Sequence, residues 1–150
     1  ELAASATLGQ ILDVSASYTR ATHRYEEWLP SEGVDYSGNT MEDAPRTLAS
    51  ASLGIRPPFL AGGRIALEWS HVGAFWMDPA NTHRYDGHDL LHVRAQQPLL
   101  DRLSVFARVH NVTNERYAET AAYTDARGQE YAPGMPRTLY LGLEWNGGSR

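Results

Sequence analysis

Apolar side chains recur at every second position along five segments of this chain, and this period constrains the fold most strongly. In one segment Leu103, Val105, Ala107 and Val109 share a parity, and the alternation recurs in residues 10–19, 64–70, 91–99 and 138–145. Successive side chains of a β-strand point to opposite faces, whereas a helix would return apolar residues every three or four positions. The pattern therefore predicts strands with one apolar and one polar face.

The connections between these segments alternate in length. Short links fall at residues 9–10, 57–63 and 98–101, and long polar ones at about 26–45, 78–89 and 113–136. We therefore predict seven antiparallel strands, roughly at 1–8, 11–24, 46–56, 64–77, 89–97, 102–112 and 137–146. Several reach the ~9–11 residues that a tilted strand needs to cross a bilayer. Tight turns at one end and long loops at the other are typical of outer-membrane barrels.

Two architectures share this alternation: a membrane barrel, and a small soluble or closed all-β binding domain whose apolar face packs into a core. The eight Tyr and four Trp outnumber the three Phe, and aromatics with a polar edge favour boundaries between water and apolar surroundings. Aromatic residues also gather near strand ends, as in the girdles of membrane barrels. These are Tyr25, Trp28, Phe75, Trp76, Tyr117 and Trp145. The barrel is therefore the preferred interpretation.

Composition excludes several other classes of protein. No run approaches the ~18 consecutive apolar residues of a transmembrane helix. The net charge of -5, with both signs spread along the chain, offers no basic stripe to nucleic acid. Cysteine is absent, so disulfides and thiolate metal sites are excluded. No nucleophile, paired carboxylate or phosphate-binding loop has a context for catalysis. We therefore expect no enzyme and no resident cofactor.

Four stretches in order resemble the closing strands of TonB-dependent outer-membrane receptors. They are GNTMEDAPRTLASASLGI (38–55), GAFWMDPANTHRYDGHDLLHVRA (73–95), VFARVHNVTNERYAE (105–119) and YAPGMPRTLYLGLEW (131–145). The penultimate strand of that family ends in an Asn-aliphatic-x-Asp/Asn-x-x-Tyr element, matched here by Asn111, Val112, Asn114 and Tyr117. A Pro-Gly-x-Pro-Arg element precedes the last strand, matched by Pro133, Gly134, Pro136 and Arg137.

The resemblance implies an antiparallel up-and-down transmembrane β-barrel of roughly 22 strands, of which residues 1–146 would form about the last seven. It also implies import of a scarce nutrient across the outer membrane of a Gram-negative bacterium, a ferric siderophore, haem or cobalamin. The implied partners are outer-membrane lipid, the plug domain and remaining barrel strands N-terminal to this segment, and the TonB complex through the N-terminal region. We expect residues 147–150 to form a flexible tail.

The densest polar cluster lies in the second long loop. There we expect His83, Arg84, Tyr85 and His88 to contact an anionic chelate or haem, because Arg suits carboxylates and Tyr stacks. Imidazole and carboxylate groups at these spacings could instead ligate a metal, although a loop provides no fixed surface. A solvated loop fits the cluster equally well.

Five charged residues share the parity of the predicted lumen: Asp13, Glu68, Arg94, Arg108 and Glu144. They are expected to form ion pairs between neighbouring strands, or else to contact the plug or the ligand. His71 has the parity of the apolar Trp69, so we expect a bulge near Gly73 to redirect it.

Overall fold

The computed structural model describes residues 1–147 and is built from β-strands. The eleven strands are β1 (Leu2–Leu8), β2 (Leu12–Arg20), β3 (Thr47–Ile55), β4 (Arg64–Val72), β5 (Phe75–Trp76), β6 (Arg84–Tyr85), β7 (His88–Leu100), β8 (Leu103–His110), β9 (Ala118–Thr124), β10 (Gly128–Pro133) and β11 (Thr138–Trp145). Within residues 1–147, no helix is long and apolar enough to cross a membrane. Most of the predicted tail, residues 148–150, lies outside the described residues.

Seven strands form one open sheet in the order β1-β2-β3-β4-β7-β8-β11. Every neighbouring pair is antiparallel, and β1 and β11 form the two edges. The predicted seven-stranded antiparallel architecture is confirmed. Within residues 1–147 this sheet does not close on itself.

The bounds of some strands differ from the prediction. β2 and β4 end earlier, at Arg20 and Val72, whereas β7 runs from His88 through the predicted turn to Leu100. Pro98 is tolerated in β7 because the pairing with β8 shifts register between Pro98 and Leu100. A proline lacks a backbone donor, so strands accommodate it at such irregularities.

The register aligns apolar side chains into continuous rows. One row, across all seven strands, is Ala6, Val14, Leu53, Leu67, Val93, Val109 and Leu139, and the next is Leu8, Leu12, Ile55, Ile65, Ala95, Ala107 and Leu141. We call this side of the sheet the apolar face and the opposite side the polar face. Leu141 and Leu143 are 71% and 69% exposed on the apolar face. No second layer covers it among residues 1–147, unlike the core face of a soluble sandwich.

The long connections form a separate layer beyond one end of the sheet. β5 pairs with β6, and β9 pairs with β10, in two small ribbons. Three of these four strands lie inside segments predicted as long loops, whereas Phe75–Trp76 lies at the end of a predicted strand. Met77, Ala118 and Ala121 are buried together, with Phe75 and Tyr123 packed against them. This loop layer therefore has its own small apolar core.

Candidate functional site

Charged side chains on the polar face pair across strands. Asp13 contacts Arg56 and Arg64 at 2.5 Å each, and Glu68 lies 3.7 Å from Arg108. A Cβ at Gly54 would overlap both Asp13 and Arg64, so the missing side chain makes room for their bidentate pair. Such pairs keep charges satisfied on a wall that faces water. Three of the five predicted lumen charges form ion pairs, but two of these pairs are not between neighbouring strands as expected. The Asp13–Arg64 pair reaches across β3, and the Glu68–Arg108 pair reaches across β7.

The other two predicted lumen charges, Arg94 and Glu144, lie around a cavity near β8 and β11. Arg94 is directly opposite Arg108, and Glu144 accepts a hydrogen bond of 3.3 Å from Gln96. Arg94, Arg108, His110 and Tyr140 line a cavity of about 710 Å³. Two guanidinium groups in register repel each other, and the carboxylates of Glu68 and Glu144 on the same face offset that repulsion.

His71 remains on the apolar face, because the register between β3 and β4 is regular through Val72. The expected bulge does not occur. His71 Nδ1 instead lies 3.0 Å from Asp89 Oδ1, and the Trp69 Nε1–H donates to the same oxygen at 2.9 Å. Asp89, which lies directly opposite His71 in β7, is therefore the hydrogen-bond partner of the imidazole.

Three of the four predicted ligand-binding residues contribute to packing within the loop layer. The His83 ring stacks on Tyr123 with their centroids 3.4 Å apart. The Tyr85 hydroxyl accepts the Ala118 N–H at 3.0 Å and contacts His88 Nδ1 at 3.1 Å. These contacts bring 83–88 against β9, which the sequence placed in a different loop.

Arg84, the fourth residue, is exposed. It lines a cavity of about 150 Å³ together with Arg46, Thr40 and Trp76. Arg46 comes from the first long loop and donates to Thr40 Oγ1 at 3.3 Å. Among residues 1–147, no group of three or more His, Asp and Glu side chains is arranged to hold a metal ion.

Asp78 holds the conformation of the loop between β5 and β6. Its carboxylate accepts the His83 N–H at 2.7 Å, the Thr82 N–H at 3.1 Å and the Thr82 hydroxyl at 2.7 Å. Burial alone would raise the pKa of Asp78, but these hydrogen bonds outweigh it and hold the pKa below its ordinary value. Asp78 was not among the residues predicted for the site. Its only local signal was a carboxylate placed shortly before a hydroxyl residue at a turn.

Acidification is therefore expected to loosen the loop layer around Asp78. A carboxyl with a lowered pKa stabilises the fold above its unfolded pKa of about 4 and loses that stabilisation as pH falls through the lower folded pKa. Protection factors at the Thr82 and His83 amides, in which the intrinsic pH dependence of hydrogen exchange is divided out, should fall in this acidic window. Asp78→Asn should flatten this dependence, whereas Asp125→Asn at an exposed turn should preserve it. Protection factors that stay constant in the wild type across this window would contradict the assignment.

The two motifs that carry the family resemblance interlock at the loop end of β8 and β11. Asn111 is fully buried, and its Nδ2 donates to the carbonyls of Glu115 at 2.9 Å and Met135 at 3.2 Å. Asn114 Oδ1 accepts the Arg137 N–H at 3.0 Å. The Pro136 carbonyl accepts the hydroxyl of Thr138, the first residue of β11, at 2.8 Å. The first motif thus holds the return of the chain into β11.

Tyr117 and Gly134 form the third contact between the motifs. The Gly134 N–H donates to the Tyr117 carbonyl at 2.9 Å, just after β10 ends at Pro133. A Cβ at Gly134 would overlap the Tyr117 ring. The ring also lies against His88, with centroids 4.6 Å apart. Position 134 therefore requires glycine, because the Tyr117 ring lies too close to leave room for a side chain.

Gly134→Ala is expected to destabilise the protein by roughly 1–3 kcal/mol, the usual cost of overpacking. The Tyr117 ring would have to move away from His88 to admit the methyl group. Tyr117→Leu combined with Gly134→Ala should recover part of that loss, which a double-mutant cycle measures. Additive losses in the urea unfolding free energy would argue against this contact.

Comparison with solved structures identifies proteins with a similar fold. The chain is similar to the ferric yersiniabactin uptake receptor FyuA from Yersinia pestis, with a TM-score of 0.76 and 16% identity over 94% of this chain and 22% of that chain. It is similar to the siderophore receptor PiuA from Acinetobacter baumannii, with a TM-score of 0.73 and 14% identity over 94% and 20%. It is also similar to the ferric citrate transporter FecA, with a TM-score of 0.71 and 22% identity. That alignment covers 89% of this chain and 21% of that chain.

The chain spans about a fifth of the length of these receptors. No protein-family model and no curated protein matches it. The likeness covers the open seven-stranded sheet and the loop layer together, since about nine-tenths of the chain is aligned. The chain therefore has the fold of a segment of the β-barrel of TonB-dependent outer-membrane receptors.

Proposed function

We propose that this chain is part of the wall of a TonB-dependent receptor that imports a scarce nutrient across the outer membrane of a Gram-negative bacterium. The observation that carries this proposal is the exposed apolar face, which is continuous across seven strands and lies opposite a wall of paired charges. In a bilayer such a face would contact hydrocarbon, and the backbone groups would be satisfied between strands. The similar solved structures are transport receptors, which supports transport and no catalysis.

The open edges indicate what the rest of the receptor would supply. β1 and β11 each present an unpaired edge, and such edges invite pairing with further strands. We propose that residues 1–146 are the last strands of the barrel, and that the plug and the remaining strands precede them. The TonB complex would engage the N-terminal region. Residues 147–150 would be a tail.

The nutrient is proposed to be an anionic ferric siderophore, with haem or cobalamin as alternatives of the same class of bulky cargo. The two guanidinium groups of Arg46 and Arg84 around one small cavity support this choice, because Arg binds carboxylates with two parallel hydrogen bonds. His83, Tyr85 and His88 would hold the loop that presents Arg84, through the contacts with β9.

Fractionation of cells tests the membrane assignment. The complete receptor should be found in the outer-membrane fraction, should need detergent for extraction, and should migrate differently on a gel when unheated. The isolated seven-stranded segment should aggregate, because both of its edges are unpaired. A complete protein that purifies as a monomer without detergent would contradict the proposal.

Uptake of radioactive iron tests the ligand class. Cells that depend on this receptor are supplied with ferric chelates that carry carboxylate, catecholate or hydroxamate groups. The double variant Arg46→Gln and Arg84→Gln should bind the preferred anionic chelate at least roughly tenfold more weakly. Arg127→Gln, at the exposed turn between β9 and β10, is the matched control and should transport normally. Equal uptake by the double variant and the wild type would remove these arginines from the ligand site.

A further inference from the structure

The side chain of His92, on the polar face, takes part in the pairing of β7 with β8 at the point where β8 ends. β8 ends at His110, and the next backbone N–H, that of Asn111, donates to His92 Nδ1 at 3.1 Å. One residue later the Val112 N–H donates to the Leu91 carbonyl at 2.7 Å. Both His92 and Asn111 are buried. A side-chain nitrogen is therefore the acceptor for a backbone donor that has left the ladder.

This hydrogen bond requires a neutral imidazole. A ring nitrogen that accepts a hydrogen bond carries no proton, so the proton of the neutral His92 ring is on Nε2. A second proton would bind Nδ1 and turn it into a donor that faces the Asn111 N–H. Two donors would then oppose each other in a buried site, where a lost hydrogen bond is not replaced by water. Protonation of His92 is therefore incompatible with this contact.

The groups around the His92 ring do not offer it a free counter-ion. Glu68 lies directly opposite in β4, but its carboxylate is already 3.7 Å from the Arg108 guanidinium. The His110 ring stacks on His92 with centroids 4.3 Å apart, so two protonated rings would repel each other. The charged and titratable groups that face the ring are Glu68 in β4, Arg94 in β7, Arg108 and His110 in β8, and Tyr117, whose hydroxyl is 3.5 Å from His110 Nε2.

We infer that the contact between His92 and Asn111 is a proton-sensitive latch, closed by the neutral imidazole and released when the ring is protonated. Asn111 joins the sheet to the loop layer, because its side chain donates to the carbonyls of Glu115 and Met135. Its φ of +52° is unfavourable for most residues, so this conformation depends on the contacts that hold it. Release of the latch would loosen the return of the chain into β11. This device goes beyond nutrient import and does not depend on the cargo.

Hydrogen exchange of the complete receptor, extracted in detergent, tests the latch. Mass spectrometry gives protection factors for residues 110–117, with the intrinsic pH dependence of exchange divided out. In the wild type they should fall roughly tenfold between about pH 7.5 and about pH 5.5, because a contact made only by neutral histidine weakens by up to tenfold per pH unit below about 6.5. Hydrogen bonds hold the pKa of Asp78 below its ordinary value, so the transition of that carboxyl falls in a more acidic window.

Substitutions of His92 separate the loss of the contact from the gain of a proton. His92→Asn places an amide oxygen where Nδ1 stood, so protection should stay high across the whole pH range. His92→Leu removes the acceptor, so protection should be low even at neutral pH. His110→Gln, the matched control in the neighbouring ring, should keep the wild-type transition. Constant protection in the wild type, or the same transition in His92→Asn, would overturn the inference. Neither result bears on the membrane assignment, which cell fractionation tests separately.

Discussion

Leu53→Arg is expected to prevent stable insertion of the barrel, at a cost of roughly 2–4 kcal/mol if the residue lies near the middle of the bilayer. Leu53 belongs to the row of apolar residues that spans all seven strands, and it is 42% exposed on the apolar face. In a bilayer its surroundings would be hydrocarbon, which cannot solvate a guanidinium. The fraction of folded receptor, read from heat-modifiable gel migration after refolding into lipid, should fall sharply.

The adjacent residue provides the matched control for this substitution. Ser52 points to the polar face and lies directly opposite Glu68 in β4. Ser52→Arg should therefore be nearly neutral or stabilise the fold, since opposite charges across strands contribute about 0.2–1 kcal/mol. Equal losses in the two variants would show that the faces have been assigned wrongly. If Leu53→Arg inserted and folded as well as the wild type, Leu53 would not contact hydrocarbon and the membrane assignment of the apolar face would be wrong.

The main sheet could be predicted because its signal is local. Each strand alternates its own apolar and polar side chains, and the pattern needs no knowledge of the neighbours. In β8, for example, Leu103 to Val109 carries the period across the whole strand. The polar-face pairs were predicted as a class for the same reason, although Arg64 was not named as the partner of Asp13.

The loop layer could not be predicted, because its order depends on contacts between distant segments. β5 and β6 have two residues each, too few to show a period. The Tyr85 hydroxyl is fixed by the backbone of Ala118, 33 residues away. One signal was available: Asp125 to Gly128 is rich in turn formers, and Gly128 has a φ of +72°. It could have revealed the β9–β10 hairpin.

The candidate ligand residues illustrate the same limit. Their spacing identified a polar cluster but not which members would face solvent. The His83 ring stacks on Tyr123, whereas Arg84 is exposed and lines a cavity together with Arg46 from another loop. Ligand contact by the four residues remains a prediction, and Arg46 is added to it from the structure.

Asn111→Ala is expected to destabilise the folded barrel by roughly 2–4 kcal/mol. The side chain is fully buried, and its removal would leave the Glu115 N–H and the Met135 carbonyl without their partner. Asn111 also has a φ of +52°, a conformation that asparagine tolerates better than alanine. Unfolding in urea, measured on the refolded receptor in detergent, reports the loss.

Asn111→Gly separates the two causes of that loss. Glycine adopts a positive φ without strain, so this variant should lose only the hydrogen bonds and remain about 1 kcal/mol more stable than the alanine variant. Asn146→Ala changes an exposed asparagine and should stay within about 0.5 kcal/mol of the wild type. If Asn111→Ala unfolded at the wild-type urea concentration, the interlocked motifs would contribute nothing to stability. The chain return into β11 would then be held by strand pairing with β8 alone.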